Sequence, residues 1–196
     1  HLSIRRQRQM CIRDSVFEPA SERGQRGLDE LKDQTVSLLT FKRWPRAVFD
    51  EQLGFNLLAR YGSDAPEALQ RFESRIERDL ATLLGLSALP MPSLRLVQAP
   101  VFHGHSFSIW VEFDSSTSTP ALEQALVSPH IDVRDCSLDA PTNVGFAGQS
   151  GLAVGAITLD ANHPRACWFW AVADNLRLLA DNALALLHSL FSLPTA

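Results

Sequence analysis

Two histidines separated by one residue are the first candidates for chemistry. His103 and His105 flank Gly104 directly before a strongly alternating segment, and a period of two would direct both imidazoles to the same side of a strand. Such a pair could bind a metal ion, or one imidazole could act as a general acid or base, because it titrates near neutral pH. No third ligand follows at a matching spacing, so the sequence does not predict a metal site.

The three cysteines are weaker candidates for a nucleophile. Cys167 lies in a hydrophobic run beside Trp168, which favours a packed core thiol, and Cys136 lies in a polar segment that shows no activating pattern. With Cys11, their number is odd and there is no CxxC spacing. This usage is typical of the reducing cytoplasm rather than of a disulfide framework or a zinc site.

The closely spaced glycines between residues 145 and 155 do not form a phosphate-binding loop. They do not match G-x-G-x-x-G, and they do not stand between a strand and a helix. We interpret them as a turn that enters a hairpin.

The elements that would position these residues mix helices with strands. Asp64, Pro66 and Glu67 form a capping pattern that predicts the start of a helix, which Gly85 ends. The remaining patterns predict a helix over 28–38, a strand over 106–113, a short helix over 121–127, a hairpin of 152–159 with 167–172, and a helix from 176. Together they predict an α/β or α+β sheet with helices packed on it.

Aromatic residues near the end of the hairpin predict a strand that is covered on both faces. Trp168, Phe169 and Trp170 follow one another, so their side chains alternate between the two sides of the sheet. A helix layer on one side and a helix layer or a partner subunit on the other would bury them.

Composition limits the classes of partner. The chain has 196 residues, 45% of them hydrophobic and 20% charged, with a net charge of -4. No basic surface for nucleic acid is implied, and no apolar run reaches the roughly 20 residues that a membrane helix needs. Residues 1–15 are rich in arginine and lack apolar periodicity, so we expect a disordered or artefactual tail, and a domain over 16–196.

Several segments, in order, resemble the aspartate-semialdehyde dehydrogenase family. The similar family motifs are YQxxSGxG with the helix that follows it, FNxxP, PVxxGHS and DNLRKGAAxN. In this chain they correspond to residues 17–24 (FEPASERG), 27–35 (GLDELKDQT), 55–58 (FNLL), 99–106 (APVFHGHS) and 172–177 (VADNLR).

The resemblance implies a fold, a reaction and an assembly. The fold is a mixed sheet with helices on one face, as in the C-terminal domain of glyceraldehyde-3-phosphate dehydrogenase-type enzymes. The reaction is the NADP-dependent reduction of L-aspartyl 4-phosphate in amino-acid biosynthesis, through a thioester on a cysteine. In the family the nucleotide-binding domain with that cysteine precedes this region, and it is not among these residues. The helix over residues 176–191 would pack on that domain, so we expect its apolar face to be partly exposed in this chain. We expect no cofactor to bind to this chain alone.

Individual positions match the family or depart from it. His105 occupies the acid/base position, and Asn175 occupies a cofactor-binding position in the last helix. The substrate-binding positions carry Gln98 where the enzymes have an arginine, Glu18 where they have a glutamine, and Asp79 where they have a glutamate; the nearby phosphate-binding lysine is replaced by Thr82. Each lost charge-assisted contact would remove about 1.5–3 kcal/mol of binding free energy.

These departures predict a catalytically inactive homologue, similar to the non-enzymatic paralogues of the family, that keeps its dimerisation domain. We expect it to be cytoplasmic and to form a homodimer, or a heterodimer with a related dehydrogenase subunit. One alternative is a truncated NADP-dependent oxidoreductase that reduces an acyl phosphate, either L-aspartyl 4-phosphate or an analogue. The other is an unrelated metal- or ligand-binding domain that uses His103 and His105.

Overall fold

A six-stranded mixed sheet forms the centre of the chain. The computed structural model describes residues 11–85, 87 and 89–191. The strands are β1 Cys11–Glu18, β2 Ser93–Gln98, β3 His105–Glu112, β4 Ile131–Val133, β5 Leu152–Leu159 and β6 Ala166–Ala173, in the spatial order β2-β1-β3-β6-β5-β4. The pairs β1–β2 and β4–β5 are parallel, and the other three pairs are antiparallel. The predicted mixed sheet and the predicted hairpin, now β5 and β6, are confirmed.

Three of the four α-helices cover one face of this sheet. The helices are α1 Gly24–Leu39, which follows a 3-10 turn at Ala20–Arg23, α2 Leu69–Leu84, α3 Thr119–Leu126 and α4 Asn175–Phe191. Leu31 of α1 and Leu69 of α2 join one buried cluster, and Leu122 of α3 joins another. No described helix is long and apolar enough to cross a membrane.

The alternation in β3 explains how the sheet presents two different faces. Phe107, Ile109 and Val111 contact the clusters beneath the helices, whereas Trp110 points to the other side, where the Arg13 guanidinium lies 4.7 Å from its ring centroid. The period-two pattern is therefore confirmed as a strand with one helix-covered face.

The expectation of a tail over residues 1–15 is wrong for residues 11–15, which form most of β1 between β2 and β3. The two neighbouring strands satisfy the backbone of this segment, and the Arg13 guanidinium stacks on the Trp110 ring. Local hydrophobicity could not reveal this because the pairing partners lie far away in the sequence. Residues 1–10 lie outside the described residues.

Strand β1 also places an acid on the helix-covered face. Asp14 lies opposite Leu94 and Ile109 in the sheet register, and its Oδ1 atom is buried without a hydrogen-bond partner. Burial raises the pKa of Asp14 from 3.8 to about 6. The folded state therefore holds this proton more tightly than the unfolded state, so the contribution to stability is present below about pH 4 and is lost as the pH rises through about 6.

Asp14→Asn is expected to remove this loss, because the amide carries no charge at any of these pH values. Urea unfolding between about pH 4 and about pH 8 should give a smaller decrease in stability for the variant than for the wild type. The exposed Asp139 provides the control, since Asp139→Asn should leave the pH dependence unchanged. An unaltered pH dependence in Asp14→Asn would contradict this assignment.

Two other predicted features differ in the structure. Helix α2 begins at Leu69, after Ala68 in an extended conformation, and no side chain caps it. The predicted cap, Asp64, instead donates its backbone N–H to Asp50 Oδ2 at 3.0 Å, and residues 64–68 are not helical. Gly155 lies within β5 rather than in the turn before it, directly beneath Pro141. Gly85 ends α2 as predicted.

The face of the sheet opposite α1–α3 is aromatic and partly open. Trp168 is 43% exposed, and Asp160 Oδ2 accepts hydrogen bonds from the indole N–H groups of Trp110 (2.8 Å) and Trp168 (3.1 Å). Phe17 and Trp170 contact each other with ring centroids 5.8 Å apart. We call this surface the aromatic face. None of the described helices packs on it, so the predicted second cover is not supplied by this part of the chain.

Helix α4 leaves its apolar side open to solvent. None of its residues is buried, and Leu179, Leu186 and Leu190 are all at least 66% exposed. The helix begins one residue before the predicted residue 176. The expected exposure of this apolar face is confirmed.

Candidate functional site

His105 is fixed at the start of β3 by the loop that precedes it. Gly104 adopts a positive φ of 84°, which favours glycine, and Asn143 and Asn175 hold its backbone from two sides. Asn143 Nδ2 donates to Gly104 O at 2.6 Å, and Gly104 N donates to Asn175 Oδ1 at 3.0 Å. Ser106 Oγ in turn donates to Asn143 Oδ1 at 2.8 Å. This arrangement sets the direction of the His105 side chain.

The surroundings of His105 favour a neutral imidazole. Burial lowers its pKa, and Arg23 adds to the lowering, whereas the Glu22 carboxylate, 4.0 Å from Nε2, opposes it. A neutral imidazole can accept a proton, and a carboxylate at this distance would stabilise the imidazolium that results. The geometry at His105 is therefore compatible with a general base.

Asn175 links three separate segments at the start of α4. Its Nδ2 donates to Ser21 Oγ at 3.1 Å and to Glu22 Oε1 at 2.8 Å, while its Oδ1 accepts from Gly104. Both amide protons are therefore used within the chain. NADP, which the family uses, would find no free N–H donor on Asn175, so the side chain in this arrangement does not fit the predicted cofactor-binding role.

A second polar network lies beside His105 and is centred on Arg23. The guanidinium forms an ion pair with Glu18, donates from Nε to the Tyr61 hydroxyl at 3.0 Å and lies 3.5 Å from the centroid of the Phe72 ring. The Tyr61 hydroxyl donates to Gln98 Oε1 at 2.6 Å. Arg23, Glu18, Tyr61 and Gln98 thus form one connected group, which we call the Arg23 network.

Desolvation dominates the protonation of this network. Burial raises the pKa of Glu18 to about 7, although the adjacent Arg23 guanidinium acts in the opposite direction. Burial also raises the pKa of the Tyr61 hydroxyl, which therefore remains protonated and can donate to Gln98. At this degree of burial, ionisation of the Glu18 carboxyl is favoured mainly by its ion pair with Arg23.

The predicted substrate-binding residues occupy very different environments. Gln98 is 0% exposed. Its Nε2 donates to Glu18 O at 2.8 Å and its Oε1 accepts from the Tyr61 hydroxyl, so both polar atoms of its side chain are hydrogen-bonded within the chain. Glu18 is buried against Arg23. Asp79 is exposed on α2 and belongs to neither network. The structure therefore brings Gln98 and Glu18 together and leaves Asp79 apart.

Several important residues escaped prediction as site residues. Glu22 and Arg23 stand within the segment that resembles YQxxSGxG, at positions where that motif has a glycine and a variable residue, and this departure was an available signal. Tyr61 and Asn143 lie in irregular segments with no motif. Their roles emerge only from the contacts that they make.

The space next to the Arg23 network is a cleft of about 270 Å³, lined by Glu22, Arg23, Arg26, Tyr61 and Phe72 among others. His103 faces a different cavity, beside Phe102 and Val144. Among the described residues, no group of three or more histidine, cysteine or acidic side chains could hold a metal ion.

The cysteines offer little nucleophilic chemistry. Cys167 is fully buried, and burial raises its pKa to about 11, so its thiol stays protonated near neutral pH. Cys136 is exposed in a loop and forms no disulfide.

Comparisons with known proteins identify the family of this chain. A family model described as "Semialdehyde dehydrogenase, dimerisation domain" matches residues 12–178. An aspartate-semialdehyde dehydrogenase of Rickettsia bellii is 32% identical over 168 residues, which cover 83% of this chain and 48% of the relative. A USG-1 protein homolog of Pseudomonas aeruginosa is 33% identical over 158 residues, which cover 80% of this chain and 47% of the relative. The chain thus spans about half the length of these relatives.

Solved structures give the same result for the fold. A probable aspartate-semialdehyde dehydrogenase from Pseudomonas aeruginosa superposes with a TM-score of 0.84 at 30% identity, over 94% of this chain and 55% of the other. A Vibrio cholerae aspartate semialdehyde dehydrogenase II complexed with ASA gives a TM-score of 0.81 at 25% identity, with the same coverage. The predicted fold class is confirmed, and this chain belongs to the semialdehyde dehydrogenase dimerisation-domain family.

Proposed function

We propose that this chain is the dimer-forming part of a homologue that does not catalyse the reduction of aspartyl phosphate. The observation that carries the proposal is the Arg23 network. Gln98 stands where the resemblance implies a substrate-binding arginine, and it is fully buried with both ends of its amide hydrogen-bonded. The guanidinium that lies nearby, Arg23, is paired with Glu18.

The charge of this region also opposes an anionic substrate. The Glu22 carboxylate lies 4.0 Å from His105 Nε2, and Thr82 replaces the phosphate-binding lysine that the resemblance implies. Without two cationic contacts, each worth about 1.5–3 kcal/mol, kcat/KM would fall about 10²- to 10⁴-fold. An acyl phosphate would be a poor substrate even if nucleotide and nucleophile were present.

A second candidate is an oxidoreductase with an altered substrate. Its support is His105, which keeps the family's position, is held by Asn143 and Asn175 through Gly104, and has a lowered pKa. Such an enzyme would use the imidazole as its base and would accept a less anionic acyl group.

The proposed partner is a second copy of the same protein. The aromatic face supports this, because it combines the partly open Trp168 with Phe17 and Trp170 and no described helix covers it. Aromatic side chains with a hydrogen-bonded indole are typical of protein interfaces. The exposed apolar side of α4 supports a separate contact, with a nucleotide-binding domain. The family's biosynthetic role and three free cysteines support a cytoplasmic location.

The test is turnover by the full-length protein in the direction of aspartyl phosphate formation. With aspartate semialdehyde, NADP and phosphate, we expect kcat/KM about 10²- to 10⁴-fold below that of a genuine family enzyme assayed in parallel. His105→Ala should leave any residual rate unchanged, because the imidazole would have no bound substrate to act on. Light scattering of the same preparation should give a homodimer.

Each result separates the candidates. Turnover close to that of the control enzyme, abolished by His105→Ala, would overturn the proposal in favour of a dehydrogenase. NADP-dependent oxidation confined to less anionic aldehydes, again lost in His105→Ala, would favour the second candidate. A folded monomer would contradict the proposed partner.

A further inference from the structure

The end of α1 holds an aromatic residue in an unfavourable conformation. Lys42 N donates to Ser37 O at 2.8 Å, and Phe41 N donates to Leu38 O at 3.3 Å, which closes the helix in a Schellman-like turn. The left-handed position of such a turn usually carries glycine, but here it carries Phe41, with a φ of 55°. Its side chain is 98% exposed, so packing against the described residues does not offset the strain.

Other exposed apolar side chains lie close to Phe41 in the sequence, at the end of α1, where a cleft opens. Val36 and Leu39 on the last turns of α1 are 56% and 67% exposed. Val36 also borders a cleft of about 570 Å³, which Thr40, Lys42 and Trp44 line as well. Val36, Leu39, Phe41 and Trp44 form what we call the α1-end patch.

Cations surround the α1-end patch. Lys42, Arg43 and Arg46 are exposed, and none of the three forms an ion pair among the described residues. Arg46 lies 4.5 Å from the centroid of the Trp44 ring. The acid on the cleft wall, Asp33, is 3.5 Å from Lys32. This local positive charge contrasts with the net charge of -4 of the whole chain.

Two buried side chains of α1 fix the backbone of the loop that carries these cations. Gln34 Nε2 donates to Pro45 O at 3.0 Å, and Glu30 Oε2 accepts from Val48 N at 2.7 Å. Both side chains are buried. The patch is therefore preorganised, which reduces the entropy lost when a ligand binds.

We infer that the α1-end patch docks an acidic peptide segment of another protein that carries an aromatic or large aliphatic side chain. The apolar side chain would contact Phe41 and Leu39 beside the cleft, and flanking carboxylates would pair with Lys42, Arg43 and Arg46. The strain at Phe41 supports this inference, because residues held in strained backbone conformations cluster at sites that bind ligands. A polyanion such as nucleic acid would match the cations but would make no use of the apolar residues.

The probe is a fluorescently labelled random copolymer of glutamate and tyrosine, with polyglutamate as the purely acidic comparison, titrated against the full-length protein by fluorescence anisotropy. We expect the copolymer to bind more tightly than polyglutamate, and salt to weaken binding. Phe41→Gly and Arg43→Glu should each raise Kd about tenfold or more. Phe41→Gly should keep or raise the melting temperature, because glycine relaxes the left-handed turn.

Arg71→Glu is the matched control, since Arg71 is also exposed but lies on α2, and it should leave Kd unchanged. Absence of copolymer binding by the full-length protein would overturn the inference, as would binding that neither patch variant weakens. Equal or tighter binding to polyuridylate or to phosphatidylserine vesicles would overturn it in favour of those partners.

Discussion

Replacing Gln34 with methionine is expected to lower the free energy of unfolding by about 3–5 kcal/mol. Gln34 is 0% exposed on α1 and forms the centre of a hydrogen-bonded hub. Its Oε1 accepts from Leu53 N at 2.7 Å and Gly54 N at 2.9 Å, and its Nε2 donates to Pro45 O and Glu51 O at 3.0 Å each. Methionine keeps the volume but leaves these four backbone groups without partners, and each buried group left unpaired costs about 1–3 kcal/mol.

Urea unfolding followed by circular dichroism measures this loss. Gln25→Met is the control, because Gln25 lies exposed on the same helix and its side chain bonds to the exposed Asp29; its effect should stay within about 0.5 kcal/mol. A loss in Gln34→Met no larger than in the control would mean that water or a rearranged loop satisfies the backbone groups.

Gly151→Ala is expected to destabilise the fold by about 2–4 kcal/mol. Gly151 has a φ of 79°, and a Cβ there would lie 2.3 Å from His130 O. That oxygen accepts the N–H of Leu152 at 2.9 Å where β5 begins. The added methyl group must therefore push apart the two backbone segments at the point where β4 and β5 start to pair.

Gly148→Ala separates the two causes. Gly148 has a similar φ of 74°, but a Cβ there would meet nothing within 4 Å, so only the left-handed conformation is penalised, by about 1 kcal/mol. Chemical unfolding of both variants gives the comparison. Equal losses would show that the contact with His130 is relieved by a small shift and that conformation alone decides the cost.

Local patterns were sufficient for elements whose burial follows a regular period. The alternation in β3 and the apolar spacing of α2 both gave the right element, because one side of each packs on the core. β1 was not predicted, because over residues 11–15 its arginine and aspartate suggested a solvated tail. β2 and β4 were not predicted either, since they are short strands at the two edges of the sheet.

The inward face of α1 shows another limit of periodicity. Glu30 and Gln34 are buried beside Leu31 although both are polar. Their burial depends on the backbone of residues 45–54, which supplies the hydrogen-bond partners. A helical pattern cannot reveal partners contributed by an irregular loop.

The sequence by itself determined the family resemblance, the mixed sheet and the position of His105, because these depend on residue types at fixed local spacings. Only the tertiary structure decided that Gln98 is sealed against Tyr61 and Glu18, the latter 80 positions away, and that Arg23 is paired with Glu18. The physical reason is that ion pairs and desolvation depend on distance and burial in space. Whether a charge is available to a ligand or consumed within the fold is therefore fixed only when distant segments pack together.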